Sequence, residues 1–205
     1  RRVLFRSEKY MSDVRARLKD KKRIVVKIGS SSLMYADTGL LNIGKVEKLT
    51  RILADLRNAG NDVCLVSSGA ISTGRNSLTT NNNSNTLSFK QACAAIGQAK
   101  LIAHYQRFFA EYSINTAQVL LTEIILADEE SRVNALNTFN ELFKLGAIPV
   151  VNENDSISTE EIKYVHTFGD NDRLSAIVAK LVDADLLIIL SDIDGMYTDD
   201  PRKNP

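Results

Sequence analysis

Five short apolar runs recur along this chain, over residues 23–28, 62–67, 116–121, 147–151 and 186–190, and stretches with helical spacing separate most of them. That alternation is the strongest constraint on the fold. The first run holds Ile24-Val25-Val26, a continuous β-branched block that reads as a strand buried on both faces, and it ends at Gly29. Val46, Leu49, Leu53 and Leu56 then follow a helical stripe closed by Gly60. Residues 87–112 read as a long helix, with Ala92, Ala95 and Ala99 offering one small-residue side for close packing. Residues 128–145 read as a helix stopped by Gly146, and Leu174, Ile177, Val178, Leu181 and Val182 form a last stripe. Strands alternating with helices predict an α/β protein, a three-layer α/β/α sandwich around a mostly parallel sheet.

Between these elements, residues 76–86 carry five asparagines with Ser and Thr, too little apolar surface to bury, and read as an exposed mobile loop. Residues 156–167 lack a helical stripe and read as a hairpin. A basic helical lead-in is expected over 12–22. Residues 1–7 resemble a translated sequencing adapter and are set aside from the fold.

Composition narrows the partners. Lys and Arg number 26 against 25 Asp and Glu, and a net charge of +1 gives no electrostatic reason to expect nucleic acid or an anionic membrane. The longest strongly apolar run falls far short of the ~20 residues a membrane helix needs. Cys64 and Cys93 lack metal-ligand spacing and read as buried thiols of a reducing, cytoplasmic compartment. A small-molecule site is the expectation.

Where that site lies follows from the polar clusters, because each stands at the end of an apolar run: Lys27 to Ser32, Ser67 to Ala70, Asn152 to Asp155, and Ser191-Asp192. In parallel sheets, ligands collect at the carboxyl ends of strands. A fifth cluster, Phe168-Gly169-Asp170-Asn171-Asp172, opens the last helix, where acidic and amide groups suit the positive helix end or simply cap it. Lys27 sits inside an apolar strand, so its ammonium needs an anion or a polar cleft, and a phosphate would satisfy it. Gly29 permits close backbone approach. Neither the Walker loop nor the GxGxxG fingerprint occurs.

The ordered strings Val25-Val26-Lys27-Ile28-Gly29-Ser30-Ser31, Val66-Ser67-Ser68-Gly69-Ala70, Val151-Asn152-Glu153-Asn154-Asp155, Phe168-Gly169-Asp170-Asn171-Asp172 and Leu190-Ser191-Asp192-Ile193-Asp194-Gly195-Met196-Tyr197 resemble the amino acid kinase family, in its glutamate-phosphorylating branch. The resemblance runs from Arg23 to Pro205. It implies an amino acid kinase domain over 23–205 after a lead-in over 1–22, with the nucleotide-binding part incomplete at the C-terminus. The implied reaction is ATP- and Mg2+-dependent phosphorylation of the L-glutamate side-chain carboxylate, the first step towards proline. Carried over, it sets Lys27 on the transferring phosphoryl group with Gly29 and Ser30 beside the phosphates. Ser68, Gly69, Asp155 and Asn171 fall around glutamate, Asp172 organises the catalytic lysine, and Ser191 and Asp192 lie at the nucleotide. No metal ligand set is implied. L-proline as feedback inhibitor and a homo-oligomer are implied partners. The kinase portion of a fused kinase-reductase and a non-catalytic glutamate or proline sensor are the alternatives.

Overall fold

The computed structural model describes residues 16–78, 84–122, 127–157 and 171–191. Eleven elements follow in order: β1 (Arg23–Ile28), α1 (Ser30–Leu33), α2 (Ile43–Asn58), β2 (Asp62–Ser67), α3 (Ala70–Asn76), α4 (Leu87–Ala110), β3 (Thr116–Leu121), α5 (Glu129–Lys144), β4 (Ile148–Glu153), α6 (Asp172–Leu181) and β5 (Leu186–Leu190). The strands form one sheet in the order β3-β4-β2-β1-β5, and every pairing among them is parallel.

Alternation along β1 divides the core. Ile24, Val26 and Ile28 face a cluster with Val46 and Leu53 of α2 and Leu101, Tyr105 and Phe109 of α4. Val25 faces the opposite cluster, with Phe139 and Phe143 of α5 and Leu174 and Val178 of α6. Two apolar faces on one strand require helices on both sides of the sheet, which gives the three-layer sandwich. The helices begin where capping chemistry allows. The Asn42 side chain accepts from Lys45 N at α2, and Asp128 accepts from Ser131 N at α5. Gly60 and Gly146 stop α2 and α5 in the left-handed region, at φ 88° and 74°.

Several sequence expectations change. Ala92, Ala95 and Ala99 are exposed, and α4 buries Cys93, Ala94, Gly97 and Gln98 instead. The close contact is with α3: a Cβ built on Gly97 would stand 1.8 Å from the Ala70 carbonyl oxygen, and one on Gly74 equally close to that of Cys93. Strand β4 runs on through Asn152 and Glu153, so half of that polar cluster lies within the strand. Of the expected lead-in helix over 12–22, residues 17–20 form exposed turns, and residues 12–15 lie outside the described residues. Asn76 closes α3 and Thr86 caps α4; between them residues 77–78 and 84–85 lie outside helix and strand, and residues 79–83 lie outside the described residues. Most of the expected hairpin over 156–167 lies outside them too.

Candidate active site

The crossovers after β1 and β2 place α2, α3 and α4 towards one face, while those after β3 and β4 place α5 and α6 on the other. Because β2 and β4 are neighbours, their connections leave in opposite directions, and a crevice opens between their carboxyl ends. The ladder reflects this. It joins Leu65 to Val150 and Val66 to Val151, with no rung between Ser67 and Asn152.

One side chain fills the gap. Asn171 is 3% exposed, and its Nδ2 stands 3.0 Å from the Ser67 carbonyl, 2.8 Å from Ser68 Oγ and 2.9 Å from Asn152 Oδ1. Although Asn171 occupies the N-cap position of α6, its side chain makes no cap bond. The amide stitches two strand ends together, and its two hydrogens are taken up by three oxygens. Its own Oδ1 is buried without a hydrogen-bond partner among the described residues. Behind it, Ser67 Oγ donates to the Ser68 carbonyl at 3.3 Å and lies 2.9 Å from the Tyr105 hydroxyl. Burial pushes the Tyr105 phenol well above its ordinary pKa, an effect its bond to Ser67 only partly offsets, so it stays neutral.

The next residue, Asp172, opens α6. Its Oδ1 lies 2.6 Å from Lys27 Nζ, an ionic contact without hydrogen-bond alignment. The two ends differ in environment, because the lysine side chain is 9% exposed and that of the aspartate 47%. Lys27 shares its face of β1 with Val25, which carries its ammonium towards the N-terminus of α6. A carboxylate in the first turn of that helix is favoured by the helix dipole.

Two glycine turns flank the pair. A Cβ on Gly29 would approach Lys27 Nζ to 3.3 Å, so the missing side chain leaves room for the ammonium. Gly69 adopts φ 101°, and a Cβ there would meet Met34 Cε at 2.8 Å and Ser30 Cβ at 3.8 Å. The Ser30 and Ser68 turns therefore touch. Ser191 follows the last rung of β5, which pairs Leu190 with Ile28, and so stands level with Gly29. Asp192 and residues 168–170 lie outside the described residues.

Asp155 lies on the wall of a cleft of about 280 Å³ that also has Ala70, Gln98, Gln118 and Glu153 on its lining. Among the proposed site residues, Lys27, Gly29 and Asp172 come together, as do Ser68 and Asn171, and Ser30 with Gly69. Asp155 joins them through the cleft, whose wall includes Ala70 beside Gly69. Sequence reasoning missed Gln98 and Tyr105, since a polar residue within a helical stripe gives no sign of which strand end it will meet. Chemically, the arrangement offers a buried positive charge, small-residue turns and an acidic cleft along one edge of the sheet.

The sequence model of the amino acid kinase family matches residues 22–205. The chain is 53% identical over 191 residues to a glutamate 5-kinase of Clostridium perfringens, covering 93% of this chain and 71% of that protein. It is 54% identical to a glutamate 5-kinase of Carboxydothermus hydrogenoformans over 91% of this chain and 49% of the relative. A glutamate 5-kinase of Enterococcus faecalis matches at 48% over 93% of this chain and 70% of its own length.

Proposed function

The chain belongs to the amino acid kinase family, and from that membership we propose that it transfers the γ-phosphoryl group of ATP to the side-chain carboxylate of L-glutamate, giving L-glutamyl 5-phosphate and ADP. The observation that carries this reading is the Lys27–Asp172 pair, a buried ammonium set at the carboxyl edge of the sheet beside two small-residue turns. A glutamate carboxylate has a reference pKa of ~4.3, so at neutral pH it is already a nucleophile and no base has to remove a proton. One of its oxygens bonds to phosphorus while the bond to the bridging oxygen breaks and its electron pair leaves with ADP. Catalysis then consists of alignment and charge neutralisation.

In this reading Lys27 meets the transferring phosphoryl oxygens, and Asp172 holds the lysine in place. Gly29 and Ser30 lie beside the phosphates, with Ser191 and Asp192 towards the nucleotide. Ser68, Gly69 and Asn171 orient glutamate, while Asp155 takes its ammonium group. Mg2+, when bound, supplies further positive charge on the nucleotide phosphates. Among the described residues no group of three His, Cys, Asp or Glu side chains converges. L-proline shares the α-carboxylate and a charged nitrogen with glutamate, so the same amino-acid end of the site would admit it as a feedback inhibitor. We place the protein in the cytoplasm as a homo-oligomer; among the described residues no helix is long and apolar enough to cross a membrane.

The test is a phosphorylation assay on the full-length protein with ATP and L-glutamate, trapping the acyl phosphate with hydroxylamine. Glutamate-dependent hydroxamate is expected, with far less from L-aspartate. Nucleotide consumption that ignores glutamate would overturn the reading.

A further inference from the structure

Three side-chain amides stand in file below the cleft, and their hydrogen bonds run in one direction. Asn171 Nδ2 donates to Asn152 Oδ1 at 2.9 Å, and Asn152 Nδ2 donates to Gln98 Oε1 at 2.8 Å. The sense of each amide is set by backbone groups that cannot exchange roles. The Ser67 carbonyl can only accept, so it faces the NH2 of Asn171; the Glu153 N–H can only donate, so at 2.9 Å it fixes the oxygen of Asn152. Asn152 must then offer its NH2 to Gln98. Gln98 in turn must direct its oxygen at Asn152, and its own NH2 is left over.

That nitrogen is buried and has no hydrogen-bond partner among the described residues, in a side chain that lines the cleft with Asp155. A buried donor without an acceptor is costly, and folds retain one where something else supplies the acceptor. The carboxylates of Glu153 and Asp155 on the same cleft favour an ammonium group and disfavour a further carboxylate unless a donor receives it. Gln98 is a donor whose sense the relay fixes.

Resting on the glutamate-kinase reading above, we propose that Gln98 is a specificity-determining residue, its Nε2–H donating to the α-carboxylate of the substrate while Asp155 meets the α-ammonium. The relay then selects an α-amino acid over an amine of similar length that lacks the α-carboxylate.

Calorimetric titration of L-glutamate and of 4-aminobutyrate into the full-length protein and its Gln98→Met and Gln98→Glu variants tests this. Methionine keeps the length without a donor; glutamate keeps an oxygen for Asn152 and removes the NH2. Glutamate affinity is expected to fall on the order of 10- to 100-fold in both, with 4-aminobutyrate affinity changed by less than about threefold. Thermal melting reports whether each variant folds, and Gln98→Glu decides if Gln98→Met does not. Wild-type glutamate affinity in the folded variant, or a proportional loss of both ligands, overturns the assignment. A wild-type protein that binds glutamate but forms no hydroxamate overturns the kinase reading alone, because the binding comparison does not depend on turnover.

Discussion

Lys27 and Asp172 form an ion pair with unequal surroundings, and the inequality predicts which partner the fold can lose. Replacing Lys27 with Met leaves a half-exposed aspartate that water can solvate, so stability should change by less than about 1 kcal/mol while kcat falls by roughly 10²- to 10³-fold. Asp172→Ala instead strands the ammonium of a lysine whose side chain is 9% exposed. Its cost should be about 2 kcal/mol, below the 3–5 kcal/mol of a wholly buried pair because Asp172 is partly hydrated. Urea unfolding of both variants checks the order, and a larger loss from Lys27→Met would contradict this account. At Asn171 the amide nitrogen faces three oxygens, so Asn171→Asp sets a fourth oxygen among them. We expect a loss of about 2 kcal/mol in stability and a raised KM for glutamate, with the KM for ATP less affected. Lys27 was legible in the sequence because a charge within an apolar run demands an explanation. Asn171 was legible as a polar residue at a helix start, but not as a bridge, since one sequence position serves a cap or a cross-strand contact equally. Gln98 was not legible at all: its partner is 54 residues away.

The elements set these residues in place through one unusually close contact. Helices α3 and α4 meet backbone to backbone at Gly74 and Gly97, and this brings the α3 start, just after Ser68 and Gly69, against the helix that carries Gln98 and Tyr105. Gly97→Ala would drive a methyl group into the Ala70 carbonyl, which belongs to a backbone that cannot step aside alone. A destabilisation of about 3 kcal/mol is expected, at the upper end for overpacking, together with a rise in the KM for glutamate as α3 is displaced. Chemical denaturation and steady-state kinetics on the same variant test both parts; an unchanged KM in a folded variant would uncouple the contact from the site. The three central strands, β1, β2 and β4, could be read from their apolar runs because burial on both faces leaves a near-continuous apolar signature, whereas the edge strands β3 and β5 are only partly buried. Helices α1 and α3, of four and seven residues, could not, since so short a helix shows hardly a turn or two of periodicity. The alanines misled for a related reason: small size permits close approach, but which small residues meet depends on the neighbouring helix.

Across the whole molecule, one acid-sensitive contact lies at the end of the sheet opposite the candidate site. The candidate site gathers at the carboxyl ends of the strands, whereas Asp185 precedes β5 at the amino end, where its carboxylate accepts from Lys22 N at 2.9 Å and Arg23 N at 2.8 Å. The Arg23 and Lys22 backbone bonds hold the Asp185 pKa below its ordinary 3.8, and the bond from Ser131 N does the same for Asp128 at the start of α5. His104, on α4, is also lowered from 6.5, first by burial and then by Arg107 and Lys100. All three shifts have one sign. Each folded group resists a proton that its unfolded counterpart accepts, so the unfolded chain binds more protons and stability falls as pH falls. For His104 the loss begins as pH drops through 6.5 and levels off below the folded value. For the two aspartates, stability is fully present above 3.8 and is lost as pH falls towards their folded values. The urea midpoint should therefore decline in two steps on acidification. His104→Gln should flatten the upper step and Asp185→Asn the lower one, the latter with lower stability at neutral pH and kcat unchanged, because Asp185 lies across the sheet from the site. A midpoint that rises between pH 7 and pH 5, or an Asp185→Asn variant that loses turnover while still folded, would show that the two ends of the sheet are not independent.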